Sequence, residues 1–212
     1  EISCSLVGSE MCIRDSCYIE RNVEQDLMDF VLGSCASYME SDVREDTDKE
    51  GFCRVHMKKM FDYGNTLGNG WILKTYYKKL LKEMESEFAH FKPGKQSMAD
   101  KLRRVTSQNA IGVWTAKKEE SCYICDRFKK EYPRYLDTFF YLYENDPAFA
   151  EKIKKGKGFC LHHFGELCSH ADTKLSDKEK VTFFPEIFEV MKRNMERMSC
   201  LLYTSPSPRD CS

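Results

Sequence analysis

One motif occurs twice in this chain and limits what the chain can fold into. Gly51-Phe52-Cys53-Arg54-Val55-His56 recurs as Gly158-Phe159-Cys160-Leu161-His162-His163. Upstream of each copy, Cys17-Tyr18-Ile19 recurs as Cys122-Tyr123-Ile124. Self-similarity of this kind marks one supersecondary unit used twice. In each copy a cysteine and a histidine stand three residues apart, a spacing that puts both on one face of a helix. The second copy is complete. Cys122-x-x-Cys125 offers two thiolates within one turn, and Cys160 and His163 add a thiolate and an imidazole. A Cys₃His set suits tetrahedral Zn²⁺ with no open position. The expectation is that Cys122, Cys125, Cys160 and His163 form one site that ties two helical arms together.

The first copy is one donor short, with Cys17, Cys53 and His56. Two registers are open. If Cys17 corresponds to Cys125, the spacings to the Gly-Phe-Cys motif are 36 and 35 residues, and the missing donor belongs at position 14, which holds Arg14. If Cys17 corresponds to Cys122, the Tyr-Ile pairs align and Glu20 stands where the second cysteine would be. Cys35 and Cys168 read as buried small hydrophobes. His162 and His170 read as surface residues. A disulfide framework is the structural rival, but the recurring histidines have no role in one.

The termini read as foreign to the protein. Leu6–Ser16 and Cys200–Arg209 can be encoded by opposite strands of one DNA that looks like a transposase-type sequencing adapter. Glu1–Ser16 (1-16) and Cys200–Ser212 (200-212) are therefore set aside, as a fusion scar is. The expected organisation is a first helical repeat over 17-92, a linker and connecting helix over 93-121, and a second helical repeat over 122-199. The breakers Pro93 and Gly94 place the hinge at Lys92–Ser97, and a short helix is expected near Met98–Val105. Glu1–Ser16 and Cys200–Ser212 are expected to pack poorly and to take no part in either site.

Periodicity makes the class all-α: two duplicated helical units, each closed by a Cys/His metal-type site. Tyr18–Leu32 carries apolar residues at Tyr18, Ile19, Val23, Leu27, Phe30 and Val31, a helical stripe. Trp71–Phe91 repeats the pattern with Ile72, Leu73, Tyr76, Leu80, Met84 and Phe88, and Phe128–Tyr143 is long and aromatic. Asp146-Pro147 reads as an N-cap followed by proline at the first helical position. Ser176 with Glu179 reads as a capping box, while Pro185 should bend the last helix or delay its start. Strand signals are nearly absent.

Composition narrows the function. With 33 Lys+Arg against 34 Asp+Glu in 212 residues, the chain lacks the basic excess of a phosphate-driven nucleic-acid binder. No apolar run reaches the ~18 residues of a membrane span. Lys152–Lys157 reads as a solvated face. Glu40–Glu50 lacks EF-hand spacing, and Gly64–Gly70 lacks the Gly-Lys-Ser/Thr of a P-loop. No Ser-His-Asp or paired-carboxylate arrangement is found, so nothing here reads as catalytic.

Four stretches are similar to an uncharacterised bacterial family, a domain of unknown function seen mainly in anaerobic gut-type bacteria. They are Ser37 through Cys53, Ser121 through Asp126, Arg134 through Tyr143, and Gly158 through Phe164. The likeness spans nearly all of Cys17–Ser199. It implies a Cys-x-x-Cys before the first helix, its second cysteine aligned to Cys17, and a chain that continues past Ser199. It implies no activity.

The resulting expectation is a soluble, cytoplasmic, zinc-binding helical protein acting as a binding or scaffold module for a protein partner. The metal ligands would be Cys122, Cys125, Cys160 and His163, with Cys17, Cys53 and His56. One alternative is a thiol-disulfide redox protein using Cys122 and Cys125, whose thiol pKa a helix N-terminus could depress. Another is an iron-sulfur protein, although clusters usually take four thiolates.

Overall fold

A computed structural model of the chain describes residues 14–92 and 109–204. Among these residues all regular structure is helical. The helices are α1 (Arg14–Leu32), α2 (Ser41–Glu50), α3 (Arg54–Tyr63), α4 (Thr66–His90), α5 (Ala110–Glu120), α6 (Tyr123–Asn145), α7 (Pro147–Lys155), α8 (Leu161–Lys174) and α9 (Asp177–Thr204), with a 3₁₀ turn at Ser37–Met39. No described helix is long and apolar enough to cross a membrane. The expected hinge at Lys92–Ser97 beyond Lys92, the short helix near Met98–Val105, and most of the two terminal segments lie outside the described residues.

The chain divides into two compact units, Val23–Lys130 and Glu1–Asn22 with Glu131–Ser212. In the first, α2 packs along α4 and the 3₁₀ turn. Its core gathers Met28, Val31, Leu32, Tyr38, Val43, Phe52, Met60 and Ile72 with Cys122, Tyr123 and Ile124. Gly51, between α2 and α3, makes this packing possible. Its φ is 67° and ψ −156°, a region essentially closed to other residues. A Cβ there would stand 2.6 Å from the Tyr76 ring. The Gly51 carbonyl accepts a 2.9 Å hydrogen bond from the Tyr123 N–H, and the Phe52 and Tyr123 rings lie 6.3 Å apart. Arg127 lies 3.6 Å over the Tyr123 ring and reaches Asp46 at 2.8 Å. The Gly-Phe-Cys turn is thereby docked against the Cys-Tyr-Ile-Cys segment.

In the second unit, α9 packs on α7 and α8. Its core is aromatic: Phe140 and Tyr143 pack on Phe183, and Phe139 packs on Phe149 and Phe159. Asp146 caps α7 through Ala148 N and Phe149 N, with Pro147 in the first turn, as expected. The Glu179 carboxylate accepts from Ser176 N at 2.8 Å, half of the capping box. Gly158, two residues ahead of Cys160, also has a positive φ, 79°.

Several local expectations need correction. Pro185 does not delay the last helix, which begins at Asp177 and contains it. In α1 the buried stripe is Val23, Met28, Val31 and Leu32, while Tyr18 and Phe30 are 52% and 47% exposed. In α4, Ile72 and Tyr76 are buried but Met84 and Phe88 are exposed. Cys35 is exposed rather than buried, because it sits in the turn where Ala36 takes a left-handed backbone.

Candidate metal centres

The two Cys/His groups form at helix N-termini. Cys53 is the residue before α3 and Cys160 the residue before α8. The histidine three residues on therefore lies in the first turn, over its cysteine. Cys122 precedes α6 and Cys125 lies in its first turn. Cys17 lies in the first turn of α1, three residues after Arg14.

The pairing differs from the expected one. Cys122 and Cys125 converge with Cys53 and His56, not with Cys160 and His163. Cys160 and His163 converge with Cys17. The expected ligand types are all present, but the partners are exchanged between the copies. The physical cause is the docking of Gly51 and Phe52 on Tyr123, which delivers the second Cys-x-x-Cys to the first Gly-Phe-Cys.

The four-donor cluster lies within the Val23–Lys130 unit. His56 Nδ1 stands 3.3 Å from each of three sulfurs, those of Cys53, Cys122 and Cys125. The Cys53 and Cys125 sulfurs are 3.9 Å apart. A tetrahedral zinc with bonds near 2.3 and 2.0 Å implies sulfur–sulfur spacings of about 3.8 Å and sulfur–nitrogen spacings of about 3.5 Å. The single lone pair of Nδ1 cannot accept from three thiols at once, whereas one central cation can bind all four atoms. The donor set therefore fits a metal ion.

The three-donor cluster lies within the other unit. Cys17 and Cys160 Sγ are 3.8 Å apart. His163 Nδ1 is 3.4 Å from Cys17 and 2.9 Å from Cys160. Glu20 does not share this group of donors; it stands 3.3 Å from Nε2, on the far side of the His163 ring. The register that made Glu20 a fourth donor is thus not the one seen. Glu20, His162 and His163 can form a separate group, but that group must use the ring nitrogen turned away from the sulfurs. His170 joins neither cluster.

Electrostatics explain what the clusters need. Burial pushes the Cys122 thiol up. Burial and the neighbouring Cys122 and Cys53 push Cys125 up to about 12. Burial opposes ionisation of Cys53 too, but hydrogen bonds from the His56 backbone and the two other thiols hold it below its ordinary value. Crowded thiols resist losing three protons unless a cation takes their place. Burial lowers the pKa of His56 and of His163. Each imidazole is then neutral and has a nitrogen lone pair to donate. Cys17, Cys35, Cys53, Cys122, Cys125, Cys160 and Cys168 are free thiols.

Residues missed at the sequence level lie behind the histidines. Glu24 Oε1 is hydrogen-bonded to His56 Nε2 at 2.8 Å, and its other oxygen accepts from Lys59 Nζ at 2.5 Å. The only available signal was a pair of glutamates, Glu20 and Glu24, one turn apart on the helix that carries Cys17.

A family described as a family of unknown function, DUF6062, matches residues 10–201. No curated protein and no solved structure matches.

Proposed function

The chain belongs to that family of unknown function, and from this premise we propose that it is a zinc protein whose metals are structural. Cys53, His56, Cys122 and Cys125 hold one ion. Cys17, Cys160 and His163 hold a second, weaker one. The single observation that carries this reading is the equal 3.3 Å spacing of His56 Nδ1 from three sulfurs. A closed Cys₃His shell leaves no position for substrate, which favours a structural role over a catalytic one. Zinc would supply fixed geometry and a charge that keeps the three thiols ionised.

A redox role for Cys122 and Cys125 needs a depressed thiol pKa, whereas both thiols are pushed up. An iron–sulfur cluster would more often take a fourth thiolate than an imidazole. Free cysteines suit a reducing compartment such as the cytoplasm. A helical body of this kind serves as a binding or scaffold module for another protein.

Elemental analysis of protein purified without oxygen and without chelator tests the proposal. The expected result is about one zinc per chain retained through dialysis, with a second lost more readily. Iron with sulfide, or no metal together with a Cys122–Cys125 disulfide, would overturn it.

A further inference from the structure

We infer that Glu24 is the positioning residue for the four-donor cluster, fixing which nitrogen of His56 meets the metal; this rests on the zinc reading above. Histidine has two nitrogens, and a neutral ring carries a proton on only one. An ionised carboxylate can only accept, so the 2.8 Å contact with Glu24 Oε1 places the proton on Nε2. Nδ1 is then left bare, and Nδ1 is the atom that faces Cys53, Cys122 and Cys125.

Glu24 is itself held in place. Its second oxygen accepts from the Lys59 ammonium at 2.5 Å, an ion pair in which Glu24 is the carboxylate. The carboxylate is anchored from one side and orients the imidazole on the other. Such outer partners raise the basicity of the ligand and fix its ring.

The second cluster repeats the arrangement with other residues. His163 turns Nδ1 toward Cys17 and Cys160 and has Glu20 3.3 Å from Nε2. That contact is not aligned as a hydrogen bond, and Nε2 has no hydrogen-bond partner. Two imidazoles presenting the same nitrogen to sulfur, each backed by a carboxylate from α1, make an accidental contact a poor explanation of either.

Anaerobic cobalt(II) titration against a competing chelator tests the inference, with Glu24→Ala, Glu24→Gln and Lys59→Ala compared to the unaltered chain. The nitrogen-15 signals of His56 are read in the zinc-loaded forms. Glu24→Ala should weaken the tighter cobalt-binding step by roughly 10–100-fold. It should also remove the signature of a ring protonated at Nε2 and metal-bound at Nδ1. Glu24→Gln keeps an accepting oxygen, so it should preserve that signature and most of the affinity. Lys59→Ala should lie between the two. Glu24→Ala affinity within about twofold of the unaltered chain, with Nδ1 coordination retained, would overturn the inference. So would equal losses in Glu24→Ala and Glu24→Gln. If the unaltered chain shows no sulfur-to-cobalt charge transfer, it is the zinc reading itself that has failed.

Discussion

The two Cys/His clusters are built from the same parts and are not equally finished. Each uses a Gly-Phe-Cys-x-x-His turn, with glycine at positive φ, cysteine just before a helix and histidine in its first turn. One receives Cys122 and Cys125 and has four donors; the other receives Cys17 and has three among the described residues. The histidine of the first is hydrogen-bonded to a braced carboxylate. That of the second only lies near one. The turn prepares a site in both cases. Whether the site closes depends on what the incoming helix start delivers.

The sharpest way to break this comparison is to remove one donor from each cluster. Cys53→Ser should abolish tight metal binding and lower the melting temperature by more than about 10 °C, since structural zinc couples directly to folding. Cys160→Ser should remove only the weaker metal and cost clearly less. Metal content and thermal melting, measured with and without chelator, check both. Equal effects would erase the distinction between the clusters.

The comparison can also be sharpened by adding a donor. Residue 14 stands to Cys17 as Cys122 stands to Cys125, three residues earlier in the chain. Arg14→Cys should raise the cobalt affinity of the second cluster by at least roughly tenfold and give it the charge-transfer intensity of three thiolates. An unchanged titration would show that Cys17 does not play the part of Cys125.

Smaller effects are expected at the two glycines. Gly51→Ala should cost about 2–4 kcal/mol, combining a forbidden backbone region with a contact on the Tyr76 ring. Gly158→Ala should cost about 1–2 kcal/mol, because its Cβ would meet the flexible Met191 side chain at 3.3 Å. Denaturant melts of the two variants should separate in that order.

The smallest effect is in pH. In chelated protein, the raised pKa values of Cys122 and Cys125 mean that folding favours the protonated thiols. That stability is complete below the ordinary thiol value of 9.0 and is lost as pH climbs toward about 12. Cys53, held below its ordinary value, offsets part of this. Metal-loaded protein should behave in the opposite sense and weaken as pH falls, because protons compete with zinc for the thiolates. Melting curves of both forms across pH check the crossing.

The helical class, the N-caps at Asp146 and Ser176, and the seven cysteines and histidines that gather in two groups were all legible in the residues, because each is a local pattern. The pairing was not. Closing Cys125 onto Cys160 spans 35 residues and onto Cys53 spans 72. Loop-closure entropy separates these by only about 0.6 kcal/mol. Either pairing yields Cys₃His, so the ligand chemistry could not choose. The choice is made by the Tyr123 N–H bond to the Gly51 carbonyl and by Phe52 against Tyr123, contacts that no spacing encodes. Glu24 was hidden for a similar reason. Its role depends on which side of the His56 ring it reaches, and only the fold shows that.

The most direct test of the exchanged four-donor cluster is anomalous scattering at the zinc edge from crystals of protein purified without chelator. A zinc held by the four-donor cluster gives a peak about 2.3 Å from the sulfurs of Cys53, Cys122 and Cys125 and about 2.0 Å from His56 Nδ1. A peak bound by Cys122 and Cys125 together with Cys160 and His163, or no peak beside well-ordered unligated thiols, would contradict it.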